Sequence, residues 1–176
     1  MNEYCLMPYT ERDGIRTAAD SDIKRLFERT EQDGLVPVVF YEGTIKNKEQ
    51  FLALARSPST CFFLLMKGVV TVGYMWLNRM ENRTVRQHFC VFKEYWGESV
   101  ELGRYGLKTV MNMQDRDGSY LFDLLTGYVP AWNERAIKFA LKCGGKTHGK
   151  IPFAVFNKEK GRSEDAVFIY YTRGEQ

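Results

Sequence analysis

The sequence is short of the residues that hold metals and cross-link chains. It has two histidines, His88 and His148, and four cysteines, Cys5, Cys61, Cys90 and Cys143, among 176 residues. Neither histidine has a His, Asp or Glu neighbour at ligand spacing, so no metal site is expected. No Cys-x-x-Cys pair occurs, and three of the cysteines fall in apolar strand or helix patterns; they read as small reduced core residues. No run approaches the roughly 20 apolar residues of a membrane span. The start, Met1-Asn-Glu-Tyr-Cys5, lacks the basic-then-apolar pattern of a signal peptide. A cytoplasmic chain without membrane contact is the expectation. Charge of one sign is also scarce: 25 basic against 22 acidic residues leave a net +3. With the basic residues dispersed and no aromatic-basic platform, no nucleic-acid partner is expected.

What is present is globular material, 44% hydrophobic and 14% aromatic. Length predicts one domain over residues 1–176. Residues 1–14 have no clear period and read as an extended arm. Residues 15–20 read as a short strand delivering Asp20 or Ser21 to the start of a helix. Ile23, Leu26 and Phe27 share its buried face, and Gly34 closes it. Pro37 argues against a central strand over 35–43. Asn47 and Gln50 resemble a capping box opening a second helix through Phe51, Leu52, Leu54 and Ala55, stopped by Ser57-Pro58. Residues 61–66 and 69–77 predict a hairpin about Lys67-Gly68, with Gly73 marking a bulge or a close backbone approach. In the next strand, 84–92, Val85, Gln87, Phe89 and Val91 face one way; Arg86, His88, Cys90 and Phe92 face the other. A turn at 93–97 leads into a helix over 98–113, buried through Val100, Gly103, Leu107, Val110 and Met111. Residues 149–156 and 166–172 read as a final hairpin. Its apolar stretch 166–171 could pair at the edge of a second copy, giving a homodimer. Trp76, Trp96 and Trp132 read as core or rim anchors.

The most informative stretch is 120–145. An apolar strand runs into Pro130, and Asn133 follows as an N-cap. Ala136, Ile137, Phe139 and Ala140 give helical spacing, Lys142 sits in the last turn, and Gly144 and Gly145 end the helix. The pattern Asn133-x-x-Ala136-x-x-x-x-x-Lys142-x-Gly144 resembles the strand–helix segment of the GNAT superfamily of N-acetyltransferases. The order of elements extends the resemblance over residues 15–172. It implies an α/β (α+β) fold: a mixed, mostly antiparallel sheet of about six to seven strands flanked by about four helices. The strands ending near Phe92 and Val129 would splay apart to admit acetyl-CoA. The implied reaction is N-acyl transfer to an amine of a small molecule or a protein.

A strand that turns into a helix leaves unpaired amides that suit an anion. The resemblance places the cofactor pyrophosphate there, at Trp96, Gly97, Glu98, Ser99 and Val100. Gly97 matches a family glycine and Ser99 stands for the second, but the leading Arg or Gln is missing. Glu98 and Glu101 suit the helix dipole and would repel a pyrophosphate. By the same resemblance, backbone of Cys90, Val91 and Phe92 would pair with the pantetheine arm, beside Asn133 and Phe139. Asn133 reads equally as a plain cap. The family's usual tyrosine acid falls at Ala140, which leaves Tyr128 as the candidate proton donor. His88 and Glu42 are the candidate bases, although a lone strand histidine also reads as structural. Tyr41 and Glu42 stand on the acceptor side. The acidic loop and Ala140 keep a second reading open, a GNAT-like binding or structural protein without catalysis. The phrase from Gly127 to Phe139 also resembles divergent copies carried by bacteriophages and prophages.

Overall fold

The structure, a computed structural model, describes residues 4–173. The first half contains β1 (Tyr4–Pro8), β2 (Glu11–Arg12), β3 (Ile15–Arg16), α1 (Asp20–Gln32), α2 (Val36–Val39), α3 (Lys48–Arg56), β4 (Cys61–Lys67) and β5 (Val70–Glu81). The second contains β6 (Thr84–Val91), a 3₁₀ helix (Lys93–Glu98), α4 (Ser99–Met111), β7 (Leu124–Pro130), α5 (Glu134–Lys142), β8 (Lys146–Asn157) and β9 (Arg162–Thr172). Seven strands form one sheet in the order β1-β4-β5-β6-β7-β9-β8. Neighbours are antiparallel except β6 and β7, which run parallel. This is the α/β architecture that the resemblance implied.

Alternation along the strands divides the core between the two faces. Leu65, Met75 and Val85 pack with Leu102 and Val110 of α4 and Ile169 of β9. Leu64, Tyr74 and Trp76 pack on the other face, with Ile23 and Phe27 of α1 and Phe51 of α3. Gly73 brings β5 and β6 together: a Cβ there would lie 2.3 Å from the Cys90 carbonyl oxygen. It also neighbours the bulge at Leu65/Met66. Gly103 lets α5 close onto α4, since a Cβ would meet Cys143 Sγ at 2.5 Å and the Phe139 ring at 2.8 Å.

Several expectations are corrected. Residues 4–8 are not an arm but an edge strand, paired with β4 from Tyr4↔Lys67 to Pro8↔Phe63. Residues 15–16 pair with 11–12 in a separate two-stranded ladder and do not join the main sheet. The cap of α1 is Ala19, whose N–H donates to the Asp22 carboxylate at 3.1 Å. Pro37 lies in the first turn of α2, where its missing N–H costs nothing. Asn47 caps α3, but Gln50 Oε1 accepts from the Lys46 amide at 2.8 Å, so the expected box closes one residue early. The strand expected from 120 begins at Leu124. Residues 166–171 are not available to a second copy along their edge, because β9 lies between β7 and β8.

Candidate functional site

The sheet is split where its one parallel pair gives out. Only three residue pairs join β6 to β7, Thr84↔Leu124, Val85↔Leu125 and Arg86↔Thr126. Beyond them the strands diverge, with Gly127 fitted against the Gln87 carboxamide (3.3 Å from a Cβ built there). The Phe92 N–H donates to Val72 O at 3.0 Å, which fixes the phase of the β5–β6 ladder. In that phase Cys90 and His88 use their backbone groups on β5, and Phe89 and Val91 turn theirs toward the gap. Of the three residues expected to offer backbone there, only Val91 does; Phe89 replaces the other two. The Val91 carbonyl is itself occupied by the Trp96 indole N–H at 3.0 Å.

Three adjoining cavities run through the gap. The mouth, about 320 Å³, lies between Val38 and Val39, Phe89 to Val91, Trp96, and Asn133, Ala136 and Phe139 of α5. A throat of about 150 Å³ continues past Gln87, His88, Gly127 and Tyr128. It opens into a far pocket of about 250 Å³ beside Tyr41, Glu42, Arg79, Arg86 and His88. Asn133 caps α5, its Oδ1 accepting the Ala136 N–H at 3.1 Å, and it lines mouth and throat. Phe139 lines both cavities and packs on Phe89 with centroids 5.5 Å apart.

The expected nest of free amides is not there. The 3₁₀ helix runs straight into α4, so successive amides bond three residues back. The Lys93 N–H is taken by Asp33 at 2.8 Å, and Ser99 spends both its amide and its hydroxyl (2.8 Å) on Trp96 O. Gly97 is exposed with open space around it, so packing does not require a glycine. Val100 packs against the core rather than the mouth. Glu98 is drawn off toward the β1–β4 edge, where Lys67 Nζ binds it at 2.8 Å and the Tyr4 hydroxyl donates to it at 2.8 Å. These partners lower its pKa, the lysine most. Positive charge reaches the rim from elsewhere: the Arg135 guanidinium lies 4.5 Å from the Trp96 ring centroid and Lys93 Nζ 5.9 Å from it.

At the far pocket His88 stacks on Trp76, centroids 4.4 Å apart and planes within 2°. Its Nε2 lies within hydrogen-bond distance of Asn78 Oδ1, at 3.1 Å. Burial, then the charges of Arg86 and Arg79, push its pKa down to about 3. A base that weak holds a proton poorly at neutral pH, and its place in the stack accounts for it structurally. Tyr41 is pushed up to about 12 by burial and by Glu42, so it stays protonated. Glu42 is exposed at the pocket wall. Tyr128 lines throat and pocket under the Arg86 guanidinium, 4.3 Å from its ring centroid.

Sequence reading passed over Arg79, Arg86 and Tyr171. Arg86 falls on the strand face that alternation predicts, where the sequence assigns it no role. Arg79 gave no signal, because a bulge between Asn78 and Glu81 and a φ of +50° bring it, still exposed, to the wall of the far pocket. The Tyr171 hydroxyl donates to Ala140 O at 3.2 Å, at the position where the resemblance had found a tyrosine missing. Burial raises its pKa, and it lines the throat. Among the described residues no helix is long and apolar enough to cross a membrane, and no three His, Cys, Asp or Glu side chains form a metal cluster.

No protein-family model matches the chain, and no curated protein matches it by sequence. Solved structures match it over nearly its whole length. A spermidine N-acetyltransferase from Vibrio cholerae, in complex with CoA and spermine, has a TM-score of 0.73 at 14% identity, covering 99% of this chain and 98% of that one. The microcin C7 self-immunity acetyltransferase MccE, with acetyl-CoA and AMP, has 0.70 at 12%, covering 98% and 94%. The Campylobacter jejuni N-acetyltransferase PseH has 0.63 at 15%, covering 98% and 99%. The chain shares the fold of these acetyltransferases.

Proposed function

We propose that this chain is an acetyl-CoA-dependent N-acyltransferase acting on an amine. The observation that carries the reading is the passage through the split sheet, with an unpaired strand edge at one end and a polar pocket at the other. The residues fit the cofactor. Phe89 and the Val91 N–H offer an extended edge to a pantetheine arm, between the apolar walls of Val38, Ala136 and Phe139. Arg135 and Lys93 stand at the rim where phosphates would lie, in place of the amides of the 3₁₀ helix. Acetyl-CoA supplies the activated acyl group when bound. The chain's own groups orient the reactants and move protons. Glu42, through water, accepts the proton of an amine entering from the far pocket. Tyr128 holds a hydroxyl proton at the throat for the departing thiolate, and His88 stays neutral as part of the wall.

A second reading is a binding protein that performs no transfer. The satisfied amides of the 3₁₀ helix and the depressed His88 favour it. Calorimetric titration with acetyl-CoA and with CoA, at low and moderate salt, tests the first. Saturable binding that weakens with salt is expected, because phosphates carry much of the energy. Absence of both heat and thermal stabilisation would overturn it. Binding without transfer to any amine would leave the second reading.

A further inference from the structure

We infer that the far pocket takes an amine whose other end is an oxyanion, a carboxylate or a phosphate ester, held between Arg79 and Arg86. The inference rests on the acyl-transfer reading and names the class of its acceptor. Most arginines of this chain are answered by acids. Arg16, Arg25, Arg29, Arg56, Arg83, Arg162 and Arg173 all make ion pairs. Arg79 and Arg86 line one cavity, and among the described residues neither is in contact with a carboxylate, although Glu42 of the same cavity acts on Arg86 through space.

Their convergence is built by the backbone. Asn78 pairs with Arg86 across the β5–β6 ladder, and the bulge that follows displaces Arg79 from it. Arg79 adopts a left-handed conformation there, which a side-chain-bearing residue takes only at a cost. Arg86 is fixed over the Tyr128 ring. Two guanidiniums facing one half-enclosed space repel each other. Burial, then the neighbouring Arg79, disfavour the charge on Arg86, and Tyr128, Tyr41 and Glu42 offset them only in part. An oxyanion between the two forks relieves that repulsion and accepts directed hydrogen bonds. The cavity's one carboxylate, Glu42, is left to face the amine. A polyamine would instead bring further positive charge against two guanidiniums.

The test compares acetyl transfer to 2-aminoethyl phosphate, β-alanine, 2-aminoethanol and spermidine, with calorimetry of acetyl-CoA alongside. One of the two anionic amines should exceed 2-aminoethanol in kcat/KM by roughly tenfold or more. Which one leads identifies the oxyanion. Arg86→Gln and Arg79→Gln should remove most of that preference and leave acetyl-CoA affinity unchanged. Arg79 is exposed, so its substitution does not burden the fold. Preference for spermidine, or an anionic preference that survives both substitutions, overturns the inference. If acetyl-CoA does not bind, or no probe amine is acetylated, ligand-observed NMR with methyl phosphate and acetate decides separately. Binding to the unaltered chain that is lost in both variants supports the anion site. No binding, or binding that the variants retain, overturns it.

Discussion

At the mouth of the cleft the polar groups facing the gap are chiefly main-chain atoms of Phe89 and Val91, with Asn133 and Arg135 beside them, between apolar walls. At the far pocket they are side chains: Glu42, Arg79, Arg86 and the phenols of Tyr41 and Tyr128. The first arrangement needs only that two strands diverge, and many sequences satisfy it. The second needs particular charges brought together by a bulge and a strand face. A backbone edge can be kept while sequence drifts, which fits a shared fold at 12–15% identity. Selectivity has to be written in side chains.

Substitutions can break that contrast. The largest effect is expected from Gly73→Val, which strikes the strand pair shared by both ends. A Cβ placed 2.3 Å from the Cys90 carbonyl cannot be accommodated without backbone movement. A loss of about 3 kcal/mol or more in urea unfolding is expected, and near-normal stability would mean the β5–β6 approach is looser than described. Next is Ala136→Trp, which fills the mouth and spares the far pocket. Acetyl-CoA affinity should fall by about 2 kcal/mol, roughly thirtyfold by calorimetry, with less than about 1 kcal/mol lost from folding at this half-buried helix site.

The third effect is a pH dependence at the far pocket. His88 has a folded pKa of about 3 against an ordinary 6.5. The unfolded chain therefore takes up the proton first as pH falls. The neutral stack contributes fully above pH 6.5, and its contribution drains away between 6.5 and about 3. His88→Gln should flatten the stability curve in that window by on the order of 1–2 kcal/mol, read from unfolding at several pH values. An unchanged curve would mean the imidazole is well solvated. The smallest effect belongs to Glu98→Gln. With Lys67 and Tyr4 holding the carboxylate, the unfolding midpoint should fall only slightly. CoA affinity at low salt should change less than about threefold; a larger gain would show that the charge faces the phosphates after all.

The legible parts of the chain were those whose signals are local. Asn133, Lys142 and Gly144 each mark a boundary by their own chemistry, and α5 stands between them. The β4–β5 hairpin and the two faces of β6 followed from composition and alternation in the same way. Residues 4–8 were missed because Tyr4-Cys-Leu-Met-Pro8 has no strict alternation and its partner begins at Phe63, far along the chain. The 3₁₀ helix was missed because Lys93 finds its cap in Asp33, on a different element. Arg79 was missed for a related reason: a bulge brings it to the wall of the far pocket, and bulges are set by pairing between strands. The cleft was thus legible in outline, and the pair of arginines at its far pocket was not.

The short parallel pairing between β6 and β7 has a consequence for isotope exchange. In the phase set by Phe92 and Val72, alternate amides of β6 live in different surroundings. Those of His88 and Cys90 are locked to β5, and those of Phe89 and Val91 open onto the cleft. Placed in deuterated water, neighbouring amides of one strand should therefore run on two clocks, one set by the opening of the sheet and the other by the solvent in the gap. A ligand lying along that edge would slow the faster clock toward the other.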